Sequence, residues 1–271
     1  MSRQQVPLRV AGLGLCAALA VVGLGAAKDV PDNRFATVIV DPGHGGEDEG
    51  AHGPAGSLEK DLVLEVARRL SEALRARGIR VVMTRESDVF VSLEQRTSIA
   101  NDARGDLFLS VHANAARDSG VRGTETFFLS LDATDDAARR LAERENQALG
   151  TVELLRRASD DPLVAILGDL IATEHLHESQ AFAGMAQERL ADKGPGGSRG
   201  VKQAPFVVLS GVQMPASLVE IGFITNREDE ARLSSAKGRE RIVAGLATAV
   251  EEYGRRYDAQ RGHAPPARGE R

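Results

Sequence analysis

Thr37-Val-Ile-Val-Asp41-Pro-Gly-His44-Gly-Gly46 is the stretch that decides the fold. A short, continuous apolar run that stops at Pro-Gly reads as a strand buried on both faces, which requires a sheet covered by helices. Working outward, Ser57 starts a helix in which Leu58, Leu62, Val66, Leu70 and Leu74 recur every four residues and Gly78 marks the close. Ile79–Thr84 reads as the next strand, and Ser92 with Gln95 forms a capping box for a helix through Ala100. Asp106–Val111 and Thr124–Leu129 read as strands three and four, and Phe206–Leu209 and Ser217–Ile221 as two more. The long stretch 132–191 between them reads as two or three helices. Asn226 caps a helical end running to about Tyr257. Alternating strands and helices argue for an α/β fold: a single domain with a mostly parallel twisted sheet of about six strands, helices on both faces.

The chain has 271 residues, 42% hydrophobic and 27% charged, an ordinary globular composition. Its net charge of −5 argues against nucleic-acid binding, which needs a strong positive footprint. Cys16 is the single cysteine, so there is no disulfide framework and no cysteine-built zinc site. A metal would have to be held by His and carboxylates. Arg3 and Arg9 precede an apolar run from Val10 to Ala27, the order of a secretory signal over residues 1–27 with cleavage near 27; an uncleaved membrane anchor is the alternative. The folded domain then spans 34–258, and 259–271, rich in Arg, Gly and Pro, reads as a disordered tail.

Three polar clusters fall at the ends of expected strands: Asp41-Pro-Gly-His44-Gly-Gly, Ser110-Val-His112-Ala-Asn114, and Glu220-Ile-Gly-Phe-Ile-Thr-Asn226. The crevice outside such strand ends is where open α/β sheets bind ligands. Glu59 adds a carboxylate in the first turn of the helix that follows His44. Singly, each residue has an ordinary structural reading. His44 suits a turn, His112 a core position, Glu59 a favourable place on a helix dipole, and Glu220 is a carboxylate interrupting an apolar strand that needs a partner. Together they suit zinc held by two imidazoles and one carboxylate. The fourth position would be open to water of pKa about 7, and a second Glu would move protons. Nucleotide binding is excluded because Asp48 stands where the third glycine of a dinucleotide fingerprint is required, and Glu47, Asp48 and Glu49 would repel a pyrophosphate. The serines lack a nucleophile elbow. His175 and His177, two apart, do not share a helix face and read as a solvated segment.

These motifs, with Glu59-Lys60-Asp61, Thr84-Arg85 and Leu93-Glu-Gln-Arg96, resemble the zinc-dependent N-acetylmuramoyl-L-alanine amidases of the amidase-3 family, over about Ala36 to Tyr253. The resemblance implies one zinc ion on His44, Glu59 and His112 and catalysis by Glu220. The expected reaction is hydrolysis of the amide joining the lactoyl group of N-acetylmuramic acid to L-alanine of the peptidoglycan stem. Such enzymes serve cell-wall remodelling and daughter-cell separation and are exported, here to a Gram-negative periplasm. Arg85, Arg96 and Asn114 are expected to be structural or to orient substrate. Some relatives carry a helical insertion that covers the zinc and is displaced by an activator protein. The segment 132–191 is expected to hold such a regulatory helix, with Glu153 or Glu174 facing the metal. The competing readings are a zinc carboxypeptidase or endopeptidase acting on stems, and a non-catalytic peptidoglycan-binding protein.

Overall fold

In the computed structural model the described residues are 34–147, 162–191 and 197–263, with side chains of 162–174 not described. The expected signal segment 1–27, the expected tail beyond 263 and Glu153 lie outside them. The domain is one six-stranded sheet in the order β2-β1-β3-β6-β4-β5. Its strands are β1 (Thr37–Pro42), β2 (Arg80–Met83), β3 (Leu107–Asn114), β4 (Thr124–Leu129), β5 (Ser198–Ala204) and β6 (Ala216–Phe223). All neighbours pair in parallel except β4 with β6. The helices are α1 (Glu59–Arg75), α2 (Leu93–Asp102), α3 (Asp136–Glu145), α4 (Pro162–Ala191), α5 (Val207–Ser210), α6 (Arg227–Ser234) and α7 (Ala236–Gln260).

The double-sided burial expected of β1 is observed. Val38 and Val40 face one core, shared with Leu62, Val66, Leu70 and Leu74 of α1 and with α4 and α7. Ile39 faces the other, built with α2, α3 and α5. β3 alternates likewise, Leu107, Leu109 and Val111 to the first side and Phe108 to the second. Two cores explain why these strands are apolar at consecutive positions rather than at every second one. The capping box at Ser92 and Gln95 is present.

Three expectations change. Phe206–Leu209 is not a strand: Val207–Ser210 is one helical turn, since four apolar residues carry no periodicity that separates the two states. The missing strand is β5, Ser-Arg-Gly-Val-Lys-Gln-Ala, an edge strand that is only partly buried along most of its length and so lacks an apolar signature. The last helix is two, because Ser235 adopts an extended backbone and its hydroxyl accepts from the Gly238 N–H, starting α7 afresh. Among the described residues no helix is long and apolar enough to cross a membrane.

Register places the chemistry. Asp41 pairs with Ser110, and His112 with Glu220. Because β4 runs antiparallel, its early residue Glu125 lies opposite Glu220 at the same edge.

Candidate active site

The site stands on the C-terminal ends of β1, β3 and β6. His44 lies just after β1 in a backbone bend with φ 56, a left-handed conformation that non-glycine residues seldom adopt. The bend survives because its surroundings hold it. Arg96 donates to the carbonyl oxygens of Pro42 and His44 at 2.6 and 2.7 Å, and to Asp41 Oδ1 at 2.7 Å. Arg85 donates to the carbonyls of Pro42, Gly43 and Lys60. Thr84 and Ser110 donate to the two oxygens of Asp41. Lys60 reaches Gly46 O and Asp88. Both arginines are about 3% exposed and are consumed by backbone carbonyls. Of the two expectations for them, structural or substrate-orienting, the contacts favour the structural one: they form the frame of the His44 loop. Close packing also fixes two glycines. A Cβ on Gly43 would fall 2.3 Å from the His112 ring, and one on Gly50, at φ +67, would meet His44 and Glu59 below 3 Å.

The structure brings His44, Glu59 and His112 together. Glu59 Oε1 lies 3.1 Å from His44 Nε2 and 3.2 Å from His112 Nδ1. The same carboxylate accepts the N–H of Ala113 at 3.0 Å and that of Ala51 at 2.9 Å, so its orientation is set by backbone from two sides. His44 turns its other nitrogen to Asp48 Oδ2 at 2.9 Å. A carboxylate behind the imidazole is the usual support of a metal-binding histidine, and Asp48 gains that role. His44 Nε2 itself is buried without a hydrogen-bond partner.

A fourth group enters, from a position other than the expected Glu153 or Glu174. Glu145, the last residue of α3, puts Oε2 3.3 Å from both His44 Nε2 and His112 Nδ1. Among the described residues it is the acidic side chain of the 132–191 segment that faces the site. Glu153 lies outside them, and Glu174 falls in α4 at a position whose side chain is not described. The fourth position expected to be open is thus occupied by protein. Its signal was present: Ala138, Leu141, Ala142 and Glu145 share one buried face of α3, and a carboxylate on an apolar stripe needs a partner.

The donor atoms of His44, Glu59 and His112 lie within 4.8 Å of one another and fit one zinc ion. Tetrahedral bonds of about 2.0–2.1 Å separate ligand atoms by about 3.3 Å, and Glu59 Oε1 stands 3.1 and 3.2 Å from the two imidazole nitrogens. Two imidazoles and carboxylate oxygens without thiolate are a donor set zinc accepts. Burial opposes charge on His112, yet the Glu145 and Glu59 carboxylates push it up to about 10. His44 is raised further, burial being outweighed by Glu59, Asp48 and Glu145. Burial likewise opposes ionisation of Glu59, but His44 and His112 bring it down to about 2, and the same imidazoles hold Glu145 well below the carboxylate range.

Glu220 is different. It is fully buried in β6, and neither oxygen has a hydrogen-bond partner. Burial pushes it well above the ordinary carboxylate range, with repulsion from Glu59 and Glu145 adding to that and His112 opposing it. Its carboxyl therefore holds a proton more tightly than an ordinary glutamate. Asn114 is also buried, donating to Glu125 Oε2 at 3.0 Å and accepting from Arg144 at 3.1 Å, at the wall of an adjoining groove.

Residues 38–252 match the family model described as N-acetylmuramoyl-L-alanine amidase. The chain belongs to this family. It is 37% identical over 227 residues to N-acetylmuramoyl-L-alanine amidase AmiA of Escherichia coli K12, covering 83% of this chain and 78% of AmiA. It is 34% identical to N-acetylmuramoyl-L-alanine amidase AmiC of Neisseria meningitidis over 82% of this chain and 53% of AmiC. Among solved structures, N-acetylmuramoyl-L-alanine amidase AmiC2 of Nostoc punctiforme superposes with a TM-score of 0.62 at 28% identity, over 81% of this chain and 97% of that one.

Proposed function

We propose that this amidase uses one zinc ion on His44, Glu59 and His112 to cleave the amide between the lactoyl group of N-acetylmuramic acid and L-alanine of the stem peptide. The observation that carries the reading is the convergence of His44 Nε2, Glu59 Oε1 and His112 Nδ1, with contacts of 3.1 and 3.2 Å, beside a buried Glu220 whose oxygens have no hydrogen-bond partner. When bound, zinc supplies Lewis acidity that polarises the scissile carbonyl and lowers the pKa of water. The chain does the rest. Asp48 and the backbone around Glu59 keep the donors aimed. Glu220 takes the proton of the attacking water and passes it to the departing amide nitrogen, which leaves poorly unless protonated. A carboxyl with a raised pKa in a dry site suits both halves of that exchange.

In this arrangement Glu145 competes with the substrate and closes the site. α3 is pinned at its C-terminal end by two clips. Asn146 bridges Pro205 O and the Val207 N–H at 2.8 Å each, while Arg144 donates to Asn114 Oδ1 and Ala115 O. The resting enzyme is thus self-inhibited, and an activator protein works by lifting α3. Relatives of this kind and the N-terminal signal pattern support export to the periplasm and a role in separating daughter cells. Digesting isolated cell-wall sacculi and weighing the products tests the chemistry. Free stems that begin at L-alanine are expected; stems shortened from their far end would indicate a peptidase instead.

A further inference from the structure

Arg144 and Glu145 are consecutive, and together they cover two kinds of atom. Glu145 Oε2 stands 3.3 Å from the imidazole nitrogens of His44 and His112. Arg144 donates to Asn114 Oδ1 at 3.1 Å and to Ala115 O at 3.2 Å. The closed site thus holds an oxygen against the metal-binding donors and N–H groups against a pair of acceptors beside them. The substrate of the proposed reaction carries the same order of groups: a scissile carbonyl oxygen, then peptide N–H groups farther along the stem.

Those acceptors belong to the wall that stays when α3 is lifted. Asn114 follows His112 by two residues on β3, with Ala113 between them turned into the first core, so both side chains leave the same face of the sheet. Along the strand they are about 7 Å apart, a span that an extended peptide covers in two residues. Nothing in α3 is needed to hold Asn114 in place. Its carbonyl accepts the Ile224 N–H at 2.8 Å, and its Nδ2 donates to Glu125 Oε2 at 3.0 Å. Glu125 is buried, and its Oε1 is held by Arg199 and Lys202 of β5 at 2.7 and 3.0 Å. A carboxylate between two cations only accepts, so the Asn114 amide cannot turn over and Oδ1 is fixed as the outward acceptor. One of its lone pairs takes the Ala115 N–H at 2.7 Å, and Arg144 takes the other. Lifting α3 frees that second lone pair and the Ala115 carbonyl together.

We propose that these two acceptors are the stem-peptide subsite of the open enzyme. Asn114 Oδ1, with Ala115 O beside it, receives backbone N–H groups one to two residues beyond the scissile amide, and Arg144 holds their place while the site is closed. The subsite rests on the amidase reading and on the lifting of α3. It makes α3 a competitor of the substrate at two points, and it selects for donors, because a group that only accepts would leave Oδ1 facing another oxygen.

The test compares a synthetic muramoyl tripeptide with an analogue in which the two amides after L-alanine are esters. The scissile amide is kept and the N–H groups beyond it are lost. Both are given to the zinc-loaded full chain carrying Arg144→Ala and Glu145→Gln, in which neither contact of the cover remains. The ester analogue is expected to show about fivefold lower kcat/KM, through KM, the contribution of about one hydrogen bond. The same margin should appear calorimetrically as tighter binding of the amide compound once Glu220→Gln is added and turnover stops. With Asn114→Ala, the amide compound should fall to the level of the ester and the margin should close. Equal handling of the two compounds while Asn114 is present, or a margin that survives Asn114→Ala, would overturn the subsite. The first comparison keeps Asn114, so a folding defect in Asn114→Ala does not hide the outcome. Failure of the amidase reading is seen separately, as absence of stems beginning at L-alanine in the sacculus digest.

Discussion

The two walls of the site are built to different standards. The sheet wall carries His44, Glu59, His112 and Glu220 on or beside strands paired in register, with Asp41, Thr84, Arg85 and Arg96 buried beneath the His44 loop. The facing wall is α3, ten residues long, whose Glu145 reaches the same donors from a helix fastened at that end by Asn146 and by the exposed Arg144. One wall is fixed by buried hydrogen bonds and close packing. The other packs Ala138, Leu141 and Ala142 on the second core and is fastened near Glu145 by polar clips that water or a partner can replace. Under the proposed function the two walls have different tasks: one keeps the donors in place, and the other covers them until it is lifted.

Breaking the fixed wall has the largest expected effect. Arg96→Met leaves Asp41 buried without its cation and should cost about 3–5 kcal/mol of stability in denaturant unfolding, disordering the His44 loop. Stability within about 1 kcal/mol of the parent would show that Thr84 and Ser110 suffice. Next is Glu220→Gln, which should keep zinc by metal analysis yet lose turnover by at least about a hundredfold; near-normal turnover would remove Glu220 from proton transfer. Asp48→Asn should weaken zinc binding by about 10–100-fold in chelator competition while the fold is kept, because only the support behind His44 is lost.

Changes to the movable wall are smaller and of opposite sign. Glu145→Gln should raise wall digestion by about tenfold if the carboxylate fills the site nine-tenths of the time. No gain would mean that α3 does not limit access. Arg144→Ala should raise it by less, about two- to fivefold, since one partly exposed clip is worth less than about 1 kcal/mol. If Arg144→Ala exceeded Glu145→Gln, the clip rather than the plug would be the seat of inhibition.

Residue pattern carried the sheet wall because its chemistry sits where periodicity ends. An apolar strand halting at Asp41-Pro-Gly-His44, and another that contains Glu220, announce functional ends without coordinates. The α3 wall was legible only in general outline. The segment 132–191 was marked as regulatory, but Glu145 was passed over for Glu153 and Glu174, because a helix face that is apolar at Ala138, Leu141 and Ala142 looks like core until its neighbours are known. Asp48 was read as an obstacle to phosphate, and its place behind His44 depends on a bend with positive φ that spacing does not reveal. For Arg85 and Arg96 the sequence leaves a structural and a substrate-orienting role open, because it cannot distinguish a guanidinium facing a groove from one spent on backbone carbonyls.

Local pattern by itself determined the strand and helix alternation, the two-sided burial of β1, and the candidate set His44, Glu59, His112 and Glu220, since these follow from side-chain period and chemical type; which carboxylate binds and which moves protons came only with the family resemblance. Tertiary structure alone decided that Glu145 stands fourth among the donors, that Glu125 lies across from Glu220, and that cationic side chains from β5, α3 and the loop after β3 share one groove. Those are distances between segments far apart along the chain. They are set by sheet order and helix docking, which the packing of two cores fixes and no stretch of residues encodes on its own.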